Sequence, residues 1–129
     1  MIYTVIITSS VYSVENSISA LLFSRALIMR RIHFIKNIFF YCDGALHANK
    51  FLFFNKKDID IRRKWIIFSL KNKIKLHVCY SSLLKQGIID FKKFFRKNTS
   101  VGNLDIFFRI SSLEKLSRDI QKSDRVIKF

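Results

Sequence analysis

The sequence predicts an α/β protein, a three-layer α/β/α sandwich around a mostly parallel five-stranded sheet. Two observations support this fold class. Short apolar runs without polar alternation, typical of strands covered on both faces, recur along the chain. Segments with apolar residues at helical spacing separate them, and strands that alternate with helices form right-handed βαβ units. The 129 residues, 50% of them hydrophobic, are expected to form one domain spanning 1–129.

The first βα unit occupies the first 30 residues. Residues 2–8 form a β-branched run that predicts the first strand, and Ser13 or Asn16 can cap the helix that follows. That helix is predicted by the helical spacing of Ile18, Leu21, Leu22, Arg25 and Met29.

A second strand is predicted at 38–41, and Asp43-Gly44 marks the turn after it. Residues 50–57 read as a loop whose apolar part, 51–54, either tucks under the domain or faces another subunit. A third helix-like stretch opens at Asp58 and carries Ile61, Trp65 and Phe68 on one face.

The third strand, 74–78, ends at Cys79, where a short helix over 81–86 begins and Gly87 ends it. A basic, aromatic segment follows at 91–97, and a loop at 98–103. The rest of the chain predicts a strand at 106–110, a helix marked by Leu113, Leu116 and Ile120, and a last strand at 125–129.

Composition limits the classes of protein. The net charge of +15 would point to nucleic acid, but abundant Phe, Ile, Lys and Asn with 3 Gly and no Pro indicate AT-rich codon usage, as in bacterial endosymbionts. Charge alone therefore decides little. Two cysteines make no disulfide framework, residues 1–8 lack a secretory signal pattern, and charges interrupt every long apolar run. A cytoplasmic protein that does not span a membrane is expected.

Cys79 is the candidate catalytic residue. Helix N-termini leave backbone N–H groups unpaired and favour negative charge, so the first turn can lower a thiol pKa from about 8.5. The structural alternative is a buried cysteine that acts as a small hydrophobe. Position alone leaves both interpretations open.

Other chemistries find little support. The first βα turn has no glycine, which removes the dinucleotide fingerprint, and no P-loop pattern is present. His33, His47 and His77 show no metal-ligand spacing with the cysteines. His77 shares a strand face with Cys79 and is a conceivable base, although a packed histidine is favoured. Tyr12 and Tyr80 could line the crevice, but packing roles are favoured for them too.

Four segments resemble one known family: YTVIIT at 3–8, FFYCDGALHAN at 39–49, LHVCYSSLLKQGIID at 76–90 and DRVIKF at 124–129. They are similar to the DsrE-type sulfurtransferases, in the same order from end to end. The resemblance implies the DsrE-like fold and places the carrier cysteine, which holds a persulfide, on Cys79. Cys42 lies where the family pattern has no cysteine, so a packing role at a strand end is expected for it.

The resemblance also implies a cytoplasmic sulfur relay that makes 2-thiouridine at the tRNA wobble position. The implied partners are TusB-like and TusC-like subunits in a hetero-hexamer, a TusA-like sulfur donor and a TusE-like acceptor. Contact with tRNA is expected to be indirect, and no cofactor or metal is required.

Three classes of function remain in view. The first is a sulfurtransferase subunit, and the second is a non-catalytic scaffold subunit of the same complex. The third is an RNA-binding module, suggested by phenylalanines interleaved with cations at 91–97. Inward packing of those phenylalanines is favoured over RNA binding. Whether Cys79 takes up sulfur separates the first class from the second.

Overall fold

A computed structural model describes residues 1–90 and 102–129. Five strands form one sheet in the order β4-β3-β2-β1-β5, and each neighbouring pair is parallel. The strands are β1 Ile2–Ile7, β2 Phe34–Phe40, β3 Leu76–Cys79, β4 Phe108–Ser111 and β5 Arg125–Lys128. The predicted α/β class with a five-stranded parallel sheet is confirmed.

Four α-helices and one 3-10 helix accompany the sheet in the described residues. The helices are α1 Val14–Met29, the 3-10 helix Cys42–Ala48, α2 Ile61–Asn72, α3 Tyr80–Lys85 and α4 Leu113–Gln121. Within 1–90 and 102–129, no helix is long and apolar enough to cross a membrane.

Helices cover both faces of the sheet, which makes three layers. Alternate side chains of β2 show this: Ile38 and Phe40 pack in the cluster that contains the apolar residues of α1 and α2. Phe39 points the other way and packs against Leu116 of α4. Cys79 belongs to this second cluster, so the candidate thiol lies beneath α4.

The buried side of α1 differs from the predicted one. Leu22 and Met29 are exposed, and the residues that are buried include small ones: Ser17, Ala20, Leu21, Ser24 and Leu27. Because this helix is apolar on most of its surface, its sequence pattern did not mark the buried face. The helix begins directly after Ser13, one of the two predicted capping residues, but the Ser13 side chain makes no capping hydrogen bond.

Helix α2 begins three residues later than predicted. Asp60 caps it by accepting a 3.0 Å hydrogen bond from the backbone N–H of Arg63. Its predicted apolar face is confirmed, since Ile61, Trp65 and Phe68 are all buried.

The apolar loop segment, residues 51–54, is partly packed under the domain and partly exposed, so it shows both predicted arrangements. Leu52 and Phe54 pack against the main core, whereas Phe51 and Phe53 are 66% and 83% exposed. The fourth strand was predicted to start at Ile106, but Ile106 is exposed and β4 begins at Phe108. The basic segment 91–97 and the loop residues up to 101 lie outside the described residues.

Candidate functional site

Cys79 ends β3 and precedes α3, as predicted. Its backbone is extended, with φ −67° and ψ 127°, so it occupies the N-cap position of the short helix. The thiol is not accessible at the surface, because Cys79 is only 2% exposed. Phe39 and Leu116 pack against it from the α4 side.

Two serines act on the Cys79 thiol. The Sγ atom lies 3.2 Å from Oγ of Ser81. Burial raises the pKa of Cys79, but hydrogen bonds from the side chains and backbone N–H groups of Ser81 and Ser82 outweigh it and lower the pKa below its ordinary value. These donors favour the thiolate, the form that reacts with sulfur.

The turn after β2 positions one of these serines. The backbone N–H of Cys42 donates a 3.0 Å hydrogen bond to Oγ of Ser82. The Ser82 Oγ atom therefore accepts a hydrogen bond from the turn, while the Ser82 hydroxyl donates a hydrogen bond to Cys79. The first residue of the 3-10 helix thus supports the thiol through an intermediate side chain.

Close packing with β1 determines the shape of this turn. A Cβ at Gly44 would overlap the carbonyl oxygen of Ile7 and lie 2.8 Å from its carbonyl carbon, so only glycine fits there. The same Ile7 oxygen accepts a 2.9 Å hydrogen bond from the backbone N–H of Tyr41. Cys42 takes a left-handed conformation, with φ 53°.

A series of buried hydrogen bonds connects α2 and α1 to the 3-10 helix. Trp65 Nε1 donates to Ser17 Oγ at 2.9 Å, and the Ser17 hydroxyl lies 2.8 Å from His47 Nε2. His47 Nδ1 donates to the Gly44 carbonyl at 2.8 Å, because a carbonyl only accepts. Burial lowers the pKa of His47 to about 4, so it is a neutral structural residue at pH 7.

Cys42 is not a packing residue, which corrects the sequence prediction. Its side chain is exposed, and it lines a cavity of about 160 Å³ whose other walls include Tyr41, Ser81 and Ser82. The charge of Cys42, then burial and the charge of Cys79, raise the pKa of the Tyr41 hydroxyl. Tyr41 therefore remains a protonated donor beside both sulfurs.

His77 shares the sheet face of Cys79 but belongs to another cavity. That cavity of about 330 Å³ is lined by His77 and four lysines, Lys36, Lys73, Lys75 and Lys115. Burial, and next the charge of Lys115, lower the pKa of His77 to about 4. It is neutral at pH 7, and its buried Nδ1 has no hydrogen-bond partner in the described residues.

The two predicted crevice tyrosines lie in different parts of the molecule. Tyr12 is exposed and lines a groove with Phe53 and Phe54. Tyr80 opens α3 and is partly buried. In the described part of the chain, no three His, Cys, Asp or Glu side chains converge as metal ligands would.

Ser111 is a site residue that sequence reasoning missed. It ends β4 in direct register with Cys79 of β3, and neighbouring residues of parallel strands present their side chains to one face. Ser111 is 8% exposed, and its buried Oγ makes no hydrogen bond within the described part of the chain. No local sequence signal marks this position, because the pairing of β3 with β4 brings the two residues together.

Comparisons with known proteins agree with this fold. The model of the DsrE/DsrF-like family matches residues 1–129. The chain is 44% identical to Sulfurtransferase TusD of Buchnera aphidicola subsp. Baizongia pistaciae, with all of both chains covered. It is 31% identical to Sulfurtransferase TusD of Pectobacterium carotovorum, with 98% of each covered. The crystal structure of the ychN protein from E. coli, at 18% identity, covers both chains fully with a TM-score of 0.74, which supports the fold.

Proposed function

This chain belongs to the DsrE/DsrF-like family, and we propose that it is a sulfurtransferase that carries a persulfide sulfur on Cys79. The relatives named Sulfurtransferase TusD support the sulfurtransferase assignment. The single observation that carries the choice of residue is the set of donors from Ser81 and Ser82 around the Cys79 sulfur. Cys42 has no matching set in the described residues: its backbone N–H donates to Ser82, and its side chain is exposed.

Sulfur uptake is an exchange without net oxidation or reduction. The Cys79 thiolate attacks the outer sulfur of a donor persulfide, a new S–S bond forms, and the donor leaves as a thiolate. The acceptor thiolate then attacks the outer sulfur on Cys79, which leaves as the thiolate again. Stabilisation of the Cys79 thiolate therefore assists both the attack and the departure.

The partners of this exchange follow from the resemblance to TusD. A TusA-like protein supplies the sulfur, and a TusE-like protein receives it for 2-thiolation of the tRNA wobble uridine. The chain works in the cytoplasm within a complex that contains TusB-like and TusC-like subunits. The exposed Phe51 and Phe53 favour a role in assembly, since large apolar groups that face water often mark interfaces.

Burial of Cys79 adds a requirement. Transfer needs the donor sulfur to contact Sγ, and the thiol is 2% exposed beneath Phe39 and Leu116. Side chains of this cover therefore move, or a partner displaces them, before each exchange. The scaffold alternative is the same fold with a thiol that never becomes reachable.

A transfer experiment tests the function. A TusA-like protein loaded with radiolabelled sulfane sulfur is mixed with this chain and its TusB-like and TusC-like partners, and a TusE-like acceptor is then added. We expect label on this chain first and on the acceptor afterwards. A complex that assembles while this chain stays unlabelled would identify a scaffold.

The RNA-binding alternative has its own readout. Replacing Lys92, Lys93, Arg96 and Lys97 with glutamate should leave sulfur uptake intact, because these residues are separate in sequence from Cys79. Strong, salt-dependent binding of tRNA by the isolated chain, lost in that variant, would favour the RNA-binding module instead.

A further inference from the structure

The hydroxyl of Ser111 is buried and has no hydrogen-bond partner among residues 1–90 and 102–129. Buried polar groups are nearly always hydrogen-bonded, and an unpaired hydroxyl costs free energy, so its position calls for an explanation. Ser111 ends β4 opposite Cys79, on the side away from β2. The neighbouring Ser112, in contrast, has a hydrogen-bond partner: its Oγ accepts a hydrogen bond from the backbone N–H of Lys115 and caps α4.

The register of β3 and β4 places Ser111 directly beside Cys79. Neighbouring strands lie about 4.8 Å apart, and paired residues of neighbouring strands face the same side of the sheet. An S–S bond adds about 2.05 Å to the Cys79 side chain. A second sulfur on Sγ, directed toward β4, would therefore extend toward the Ser111 hydroxyl.

We propose that Ser111 is a positioning residue that donates a hydrogen bond to the outer sulfur of the Cys79 persulfide. This inference rests on the proposed function and deepens it. Ser81 and Ser82 donate hydrogen bonds to the sulfur of Cys79 itself, and Ser111 donates one to the transferred sulfur. The outer sulfur ionises readily, and a hydroxyl that donates to an anion makes a strong, charge-assisted bond. Because Phe39 and Leu116 exclude water here, the hydroxyl replaces solvent around that charge.

The test compares the lifetime of the persulfide with the reactivity of the empty thiol. The chain, in a Cys42→Ser background, is loaded with glutathione persulfide, freed of excess donor and exposed to a dilute thiol reductant. Intact mass follows the loss of the outer sulfur. The alkylation rate of unloaded Cys79 is measured in parallel, since a merely structural role for Ser111 would change both.

We expect Ser111→Ala to lose the outer sulfur about tenfold faster, equivalent to about 1.4 kcal/mol, with an unchanged alkylation rate. Ser111→Thr, which keeps the hydroxyl, should restore the lifetime. Ser112→Ala is the matched control: it removes a helix cap at the next position and should leave the lifetime unchanged. Ser111→Gly provides a second hydroxyl-free variant if Ser111→Ala does not fold.

The two proposals fail differently. An unchanged lifetime in Ser111→Ala, or an equal change in lifetime and alkylation rate, would overturn the role of Ser111 and leave the proposed function standing. A chain with intact Ser111 that never gains sulfur on Cys79 would overturn both.

Discussion

Lowering the pH from 7 to 5 should destabilise the folded chain because the ring of His47 is buried in its neutral form. Its neutral ring donates from Nδ1 to Gly44 and accepts at Nε2 from Ser17. A proton on Nε2 would remove that acceptor and place a charge in the core. Burial accordingly lowers the pKa of His47 from 6.5 to about 4.

The magnitude follows from linkage. Between pH 6.5 and 4 the unfolded chain binds a proton at His47 that the folded chain does not bind, so stability is full above pH 6.5 and falls as the pH drops. A difference of 2.5 pKa units corresponds to about 3 kcal/mol, of which about 2 kcal/mol is lost between pH 7 and 5. His77 adds a smaller loss of the same sign, since its ring is partly exposed and solvent screens it.

Urea unfolding at pH 7, 6 and 5 measures this loss. We expect His47→Gln to be less stable at pH 7 but to lose about 2 kcal/mol less than the parent chain on going to pH 5. His77→Gln, the matched control, should retain most of the pH dependence. An undiminished pH dependence in His47→Gln would refute the buried, neutral state of this ring.

Three further outcomes follow from the site. Gly44→Ala should lower the free energy of unfolding by about 3 kcal/mol, because its Cβ would overlap the Ile7 carbonyl oxygen; thermal unfolding measures this loss. Ser82→Ala should raise the pKa of the Cys79 thiol, so that its alkylation rate against pH shifts to higher pH. Phe53→Asp should weaken association with the TusB-like and TusC-like partners in size-exclusion chromatography, because it places a charge in an exposed apolar groove.

Matched variants control the second and third of these experiments. Ser13→Ala removes a hydroxyl that makes no capping hydrogen bond, so it should not move the alkylation profile. Phe34→Asp changes an equally aromatic, exposed side chain at the start of the central strand β2 and should leave assembly intact. Gly44→Ala with unchanged stability, or a control that reproduces its partner's effect, would contradict the corresponding prediction.

The sequence predicted the features that depend on local pattern. Unbroken apolar runs identified the parallel strands, and the spacing of Ile61, Trp65 and Phe68 identified the buried face of α2. The junction of strand and helix at Cys79 followed from the change of pattern there. The backbone N–H donors of the first turn of α3 followed from the same local geometry, whereas the serine hydroxyls that also donate to the thiol were not predicted.

Features that depend on long-range packing could not be predicted. The burial of Cys79 results from the position of α4, and the exposure of Cys42 results from a left-handed turn that Gly44 permits against Ile7. Ser111 meets Cys79 only through the register of two strands that are distant in sequence.

We expect Cys79 alone to carry the sulfur. The parent chain, Cys79→Ser and Cys42→Ser are each incubated with a persulfide donor, blocked by alkylation, digested and mapped by mass spectrometry. We expect one added sulfur on the peptide that contains Cys79 in the parent chain and in Cys42→Ser, and none in Cys79→Ser. Sulfur on the Cys42 peptide that persists in Cys79→Ser and disappears in Cys42→Ser would contradict the assignment.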